Sequence, residues 1–316
     1  MTTPVSAEPR RAPARRRDPR RIHGLRGLPY LLIAPAAIYL IVFQGLPLIQ
    51  EFRLAFSNAK LFRPNEFDFV GFDNFVHIFQ DDGFWQSVSV TVVYVVTCVL
   101  GTVLVGLGVA LLLNHNFAGR GVLRSLVIIP WAAPPVAIAL IAIWMLDARY
   151  GIVNRALRTV DLAPEGGNWL NSTTFALPAI LIVTIWQLFP FTSVVILAAL
   201  QSVPAELHEA AMIDGANGRQ RFAAVTWPTI RPTVGLVAIL MTIWSIRRFE
   251  LIWLMTQGGP VGSTNTLVID LYRESFIIRD LGHGAAIGIV GLLVSLAITV
   301  FYFILSNRAS RSDVTR

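Results

Sequence analysis

Lysine is almost missing from this chain. Of the 26 Lys and Arg side chains in 316 residues, Lys60 is the one lysine. A Walker loop needs G-x-x-x-x-G-K-[ST], in which glycine amides and a lysine hold the phosphates. Lys60 lies in Asn58-Ala59-Lys60-Leu61-Phe62, with no glycine beside it, so the usual ATP-hydrolysing site is excluded from this chain. The single cysteine, Cys98, excludes an intrachain disulfide or a multi-cysteine metal site, and its apolar surroundings suit a small packing residue. Five histidines (His23, His77, His115, His208, His283) are scattered over different segments, and none shows the i,i+4 pairing or carboxylate arrangement of a metal or hydrolytic site. No metal site and no catalytic residue is expected, and the chain does not read as an enzyme. Charge is also scarce, at 14% of residues against roughly 25% in an ordinary soluble protein.

Apolar residues take their place, at 54% of the chain with a mean hydropathy of +0.61. They come in six blocks near 28–50, 88–113, 125–146, 174–199, 233–256 and 284–306. Each is long enough to cross the roughly 30 Å hydrocarbon layer as a helix. The expected fold is all-α, with six transmembrane helices over 28–306 between a basic tail at 1–27 and a short C-terminal tail at 307–316. Both tails and the connections 114–124 and 200–232 carry 16 of the Lys and Arg residues, and the three opposite connections carry 8. The positive-inside rule then places both termini in the cytoplasm. Arg20-Arg21 before an apolar run and Ala34-Pro35-Ala36 mimic a cleavable signal. The apolar stretch nevertheless continues to Ile49, longer than a signal core, so a retained first span is expected.

A net charge of +7 could suggest nucleic acid, but eight of the arginines crowd into residues 10–26 of a Pro/Ala/Arg-rich tail. No folded basic groove accompanies them. Such a tail beside a span sets orientation and touches anionic lipid, so membrane lipid is expected as a partner and nucleic acid is not.

Seven prolines interrupt the apolar blocks: Pro35, Pro47, Pro130, Pro134, Pro135, Pro178 and Pro190. Each frees a backbone carbonyl that protein or a water-filled cavity must satisfy, and together they favour a pathway over a rigid anchor. The connection 200–232 reads as helix, turn, helix. Pro204 suits a first helical turn, Ala205–Ile213 are good helix formers, and Gly215 suits a left-handed stop. Arg219–Val225 then resumes as a basic amphipathic segment, before Pro228 and Pro232 introduce the fifth span. Leu207, Ala210, Ala211 and Met212 form a small apolar face flanked by Glu206 and Glu209. A docking element and an ordinary hairpin both fit that pattern.

Here the chain resembles a family. Glu209-Ala210-Ala211-Met212-Ile213-Asp214-Gly215-Ala216, with Phe222 and a proline fourteen residues after the aspartate, is similar to the EAA loop of ABC-importer permeases. The likeness extends to Gly71-Phe72-Asp73-Asn74-Phe75, to Leu254–Pro260 and to Gly282–Ala286, and covers residues 28–306. It is nearest to carbohydrate-uptake permeases of the maltose and glycerol-phosphate type, with a type I importer fold. The resemblance implies a coupling helix seated on a separate ATPase, with Glu206, Glu209, Ala210, Ala211, Asp214, Gly215 and Ala216 at the contact. ATP and Mg²⁺ would then belong to the partner ATPase dimer. A second, similar permease and an extracytoplasmic binding protein would complete the complex. The outer segments 51–87 and 257–283 would meet the binding protein.

For the cargo, the fourth span offers Trp186, Gln187, Phe191, Thr192 and Ser193, and the fifth offers Ser245, Arg247, Arg248 and Glu250. Aromatic faces stack on sugar rings, and amides hydrogen-bond hydroxyls. Relatives of this type commonly carry small polar residues where the two arginines stand, and often an aspartate at Glu250. The arginines either pair with Glu250 or a carbonyl and lock the helix, or contact an anionic or polyhydroxyl substrate. The expected function is uptake of a di- or oligosaccharide. Glycerol 3-phosphate or a glycerophosphodiester is the alternative within this family. A secondary transporter or an integral-membrane enzyme would need a clear internal repeat, carboxylate relays or a catalytic cluster, none of which is evident.

Overall fold

A computed structural model describes residues 28–64, 67–159 and 167–314. The arginine-rich tail expected at 1–27 lies outside the described residues. The chain divides into two compact units, Met1–Gln50 and Glu51–Arg316. In the described part of the first, helix Leu28–Leu40, with Pro35 inside it, passes through a π-helical turn at Ile41–Gly45. The helix continues as one apolar run over Tyr30–Ala55.

In the second unit, three further helices are long and apolar enough to cross a membrane unbroken before the last: Asp82–Asn114, Ala176–Gln201 and Gly218–Ile246. The last, Leu281–Phe301, belongs to a helix that continues to Val314. The third expected span is a broken pair, Arg120–Ala132 and Pro135–Met145, bent by 94°. The cause is local. Ala133 and Pro134 each precede a proline, which disfavours helical dihedrals, and both are extended, with ψ of 140° and 133°. With this pair taken as one span, the described residues hold the six expected crossings. They contain isolated bridges and no strand.

The fifth span differs from expectation at both ends. Its helix begins at Gly218, because a π-turn at Phe222–Thr226 joins Gly218–Arg221 to Trp227–Ile246 without a break. The Trp227 N–H reaches back five residues to the Phe222 carbonyl. That altered register precedes Pro228, which lacks a donor of its own. The helix then stops at Ile246, and Glu250–Thr256 starts anew. Arg247 and Arg248 therefore occupy an interruption and not the interior of a helix.

The main core joins Tyr94 and Cys98 of the second span, Ile138 and Ala142 of the third, Ile180 and Leu188 of the fourth, and Val237 and Met241 of the fifth. Between lipid-embedded helices the driving force is close packing, not exclusion of water. The second and fourth spans approach through glycine. A Cβ on Gly101 would stand 2.3 Å from Ile185 Cδ1, and one on Gly106 would stand 2.5 Å from Thr192 Cγ2. The hydroxyls of Tyr94 and Thr184 meet at 3.1 Å within the same buried seam.

A second core, beside the connections 51–87 and 257–283, gathers Ala55, Ile78, Phe84, Leu267 and Ala286. Asn74 stitches it, its amide donating to the carbonyls of Ala55 and Ser57 at 2.9 and 2.8 Å. The last helix enters through Gly282 and Gly284, where a Cβ would fall 2.0 Å from the Ser57 carbonyl and the Ser275 Oγ respectively. Lys60 is salt-bridged to Asp280 across this apron.

Candidate functional site

Two regions hold the residues singled out by the sequence. The first is the hairpin after the fourth span. Helix Ala205–Ile213 forms as expected, except that Pro204 stands at the N-cap, outside the first turn. The helix ends in a Schellman turn: Ala216 N–H donates to the Ala211 carbonyl at 2.9 Å, and Gly215 N–H to the Met212 carbonyl at 3.0 Å. Gly215 has φ of +79° with open space around it, so its role is conformational. Asn217 and Gln220 then close a capping box that starts the long fifth helix.

No residue of helix Ala205–Ile213 is buried. Ile213 is 87% exposed, and about half of Leu207 and Met212 is exposed too. A nine-residue helix is too short to persist by propensity alone; here the Schellman turn closes its C-terminal end. The result is a short helix with a small apolar face, Glu206 and Glu209 exposed on it, and none of its residues buried by its own chain.

The second region lies where three helices are interrupted or carry proline. Gln187 is the twelfth residue of Ala176–Gln201, about 17 Å along that helix at 1.5 Å per residue. Its side-chain oxygen accepts a hydrogen bond from Arg248 Nη2. Its amide nitrogen donates to the Ala133 carbonyl at 3.4 Å, in the break of the third span. Tyr94 and Cys98 of the second span are within electrostatic reach of the same guanidinium. Arg248 Nε is buried and unpartnered among the described residues, as are the hydroxyls of Thr192, Ser193 and Ser245.

Rings border this node. Phe191 packs on Trp131 at 5.6 Å and on Trp244 at 5.0 Å. Trp131 is 44% exposed. Trp186 is half exposed and stacks on no ring among the described residues, so it stands apart from this group.

Among the described residues, neither arginine forms an ion pair with Glu250. The locking pair considered from sequence is replaced, for Arg248, by the neutral Gln187 amide. Arg247 and Glu250 are both exposed. Gln187, Phe191 and Arg248 thus come together, while Trp186 does not join them. Sequence reasoning left out Trp131 and Trp244. The signal for Trp131 was its place three residues before Pro134, on the exposed side of a forced break.

Beyond the break, a second aromatic set follows: Phe249 lies 4.8 Å from Tyr272, and Trp253 lies 4.7 Å from it. Trp253, Gln257, Val261 and Arg273 line an open cleft of about 530 Å³. The Gly258–Thr266 loop beside it is tied down. Gln86 Nε2 donates to the Val261 carbonyl at 3.1 Å, the Thr256 and Thr264 hydroxyls meet at 2.7 Å, and Leu267 N–H donates to Thr91 Oγ1 at 2.9 Å.

Residues 102–311 match the family described as binding-protein-dependent transport system inner membrane component. The chain is 36% identical over 279 residues to the sulfoquinovosyl glycerol transport system permease protein SmoG of Agrobacterium fabrum, covering 88% of this chain and 90% of that one. It is also 36% identical over 275 residues to the trehalose/maltose transport system permease protein MalF of Thermococcus litoralis, covering 87% and 92%. Among solved structures it resembles a chain of a bacterial ABC transporter that imports the acidic polysaccharide alginate. That match has a TM-score of 0.78 and 25% identity, over 89% of this chain and 95% of that one.

Proposed function

This chain belongs to the family of binding-protein-dependent transport system inner membrane components, and from that premise we propose that it is one permease subunit of an ATP-driven importer, forming half of the path for a di- or oligosaccharide. A solved relative, the alginate transporter, has been captured with a periplasmic protein carrying an alginate pentasaccharide. That supports a binding protein as the source of cargo at the outer cleft. A second, similar permease supplies the other half of the path. ATP and Mg²⁺ act on a partner ATPase dimer, which moves this chain through helix Ala205–Ile213.

The observation that carries the coupling role is that helix: closed by a Schellman turn, bearing a small apolar face beside two glutamates, and uncovered by its own chain. Small side chains at Ala210 and Ala211 allow close approach, and Glu209 suits an arginine on the ATPase. The Schellman turn fixes its angle to the helix Gly218–Ile246. At 1.5 Å per residue those 29 residues span about 43 Å. A push on the cytoplasmic helix is therefore delivered, through one continuous rod with a single π-turn, to the break at Arg247–Arg248. Such displacement of rigid elements around a fixed site is how alternating access proceeds in helical transporters.

The test is Glu209→Lys in the complete reconstituted complex. The expected result is loss of ATPase docking or of substrate-stimulated hydrolysis. Unchanged assembly and unchanged stimulation would remove the coupling role from this helix.

A further inference from the structure

Resting on the importer reading above, we infer that the cargo is a glycoside bearing a single negative charge, a carboxylate or a sulfonate, and that the Arg247–Arg248 break is what selects it. The first ground is charge. An arginine at membrane depth faces a bundle interior or a water-filled cavity and needs a counter-charge or acceptors. Arg248 has only the neutral Gln187 amide, with its Nε buried and unpartnered among the described residues. Arg247 is exposed, with no carboxylate in ion-pair range among the described residues. The site is thus built with positive charge left over.

The second ground is the amount left over. Two arginines and one glutamate, at 247, 248 and 250, leave a formal charge of +1, which a monoanion balances and a dianionic phosphate ester exceeds. The third is shape. A guanidinium presents paired donors suited to a planar carboxylate or a sulfonate. It does so beside the Trp131, Phe191 and Trp244 rings, apolar faces on which a pyranose can stack. A neutral sugar would use the rings and leave the charge uncompensated.

The experiment uses the complete transporter, with partner permease, ATPases and binding protein, in proteoliposomes. Uptake of glucuronosyl glycerol, sulfoquinovosyl glycerol, glucosyl glycerol, maltose, trehalose and glycerol 3-phosphate is compared for wild type, Arg247→Gln and Arg248→Gln. The binding protein is the same throughout, so any change in the acidic-to-neutral ratio belongs to this chain. Acidic glycosides are expected to lead, and each variant to lower that ratio about tenfold, the scale of one charge-assisted hydrogen bond. Arg247 has no ion-pair partner to lose among the described residues, so Arg247→Gln serves if Arg248→Gln fails to assemble. Preference for neutral sugars or for glycerol 3-phosphate, or an unaltered ratio in an assembled Arg247→Gln complex, overturns this inference and leaves the importer reading standing. No uptake of any glycoside by an assembled, ATP-hydrolysing complex overturns the importer reading and this one with it.

Discussion

Gln187 and Arg248 are bound to each other across two helices, and Gln187 also holds the open carbonyl of Ala133 in a third. One amide therefore serves two interruptions: the Pro134–Pro135 bend and the stop at Ile246. Gln187→Leu removes both contacts and strands the guanidinium. The expected cost is about 1–3 kcal/mol of stability, read as a lower melting temperature of the purified complex. Adding Arg248→Met removes the stranded charge, so the double variant should melt higher than Gln187→Leu alone. Additive losses in that cycle would show that the two side chains do not depend on each other.

Gly215 takes φ of +79° with nothing within 4 Å of a would-be Cβ. Gly215→Ala meets no clash and still costs about 1–2 kcal/mol in the left-handed region, whereas Gly215→Asn is tolerated better there. Substrate-stimulated ATPase activity of the complex should therefore rank Gly, then Asn, then Ala. Equal activity in all three would show that the Schellman turn does not set coupling.

Local chemistry made the hairpin legible. Good helix formers at Ala205–Ile213 and a glycine at the stop are signals written within a few residues, and they fold as read. The 94° bend was half legible: Pro134-Pro135 announces an interruption, but not its angle. The stop at Ile246 was not legible. No proline or glycine lies in Ser245-Ile246-Arg247-Arg248-Phe249, and the guanidinium that sits in the break is held by Gln187, 61 positions away. The start of the fifth helix was misjudged for the opposite reason. Pro228 and Pro232 look like boundary signals, yet the π-turn before them lets the helix run through.

Gly106 tests the seam between the second and fourth spans. A Cβ there would lie 2.5 Å from Thr192 Cγ2 and 3.1 Å from the Ser193 backbone nitrogen, so backbone must move. Gly106→Ala is expected to destabilise by about 1–3 kcal/mol through overpacking. Gly108→Ala, two residues on with nothing within 4 Å, should be neutral or slightly stabilising. Thermal unfolding of the purified complex would compare them, and equal melting temperatures would contradict the close approach of these helices.

The connection between the fifth and sixth spans should respond to pH with a sign set by burial. Desolvation raises the carboxyl of Asp270 above its ordinary range, against the opposing hydrogen bond donated by Asn265 at 2.8 Å. Desolvation also raises Glu274, and the neighbouring Asp270 adds to the effect. A raised acid binds its proton more tightly when folded, so its contribution to stability is full below the unfolded value and is lost as pH climbs through the folded one. Asp147 behaves oppositely. The N–H groups of Arg149 and Tyr150 donate to its carboxylate at 2.8 and 3.1 Å and lower its pKa, so its stabilisation is present above the ordinary carboxylate range and lost below it. Hydrogen exchange should therefore show the Leu267–Ile278 segment opening more readily as pH rises from about 4. The turn at Asp147–Tyr150 should open as pH falls below that point. Asp270→Asn should flatten the first response and leave the second in place. If both segments loosen in the same direction, burial is not what governs Asp270.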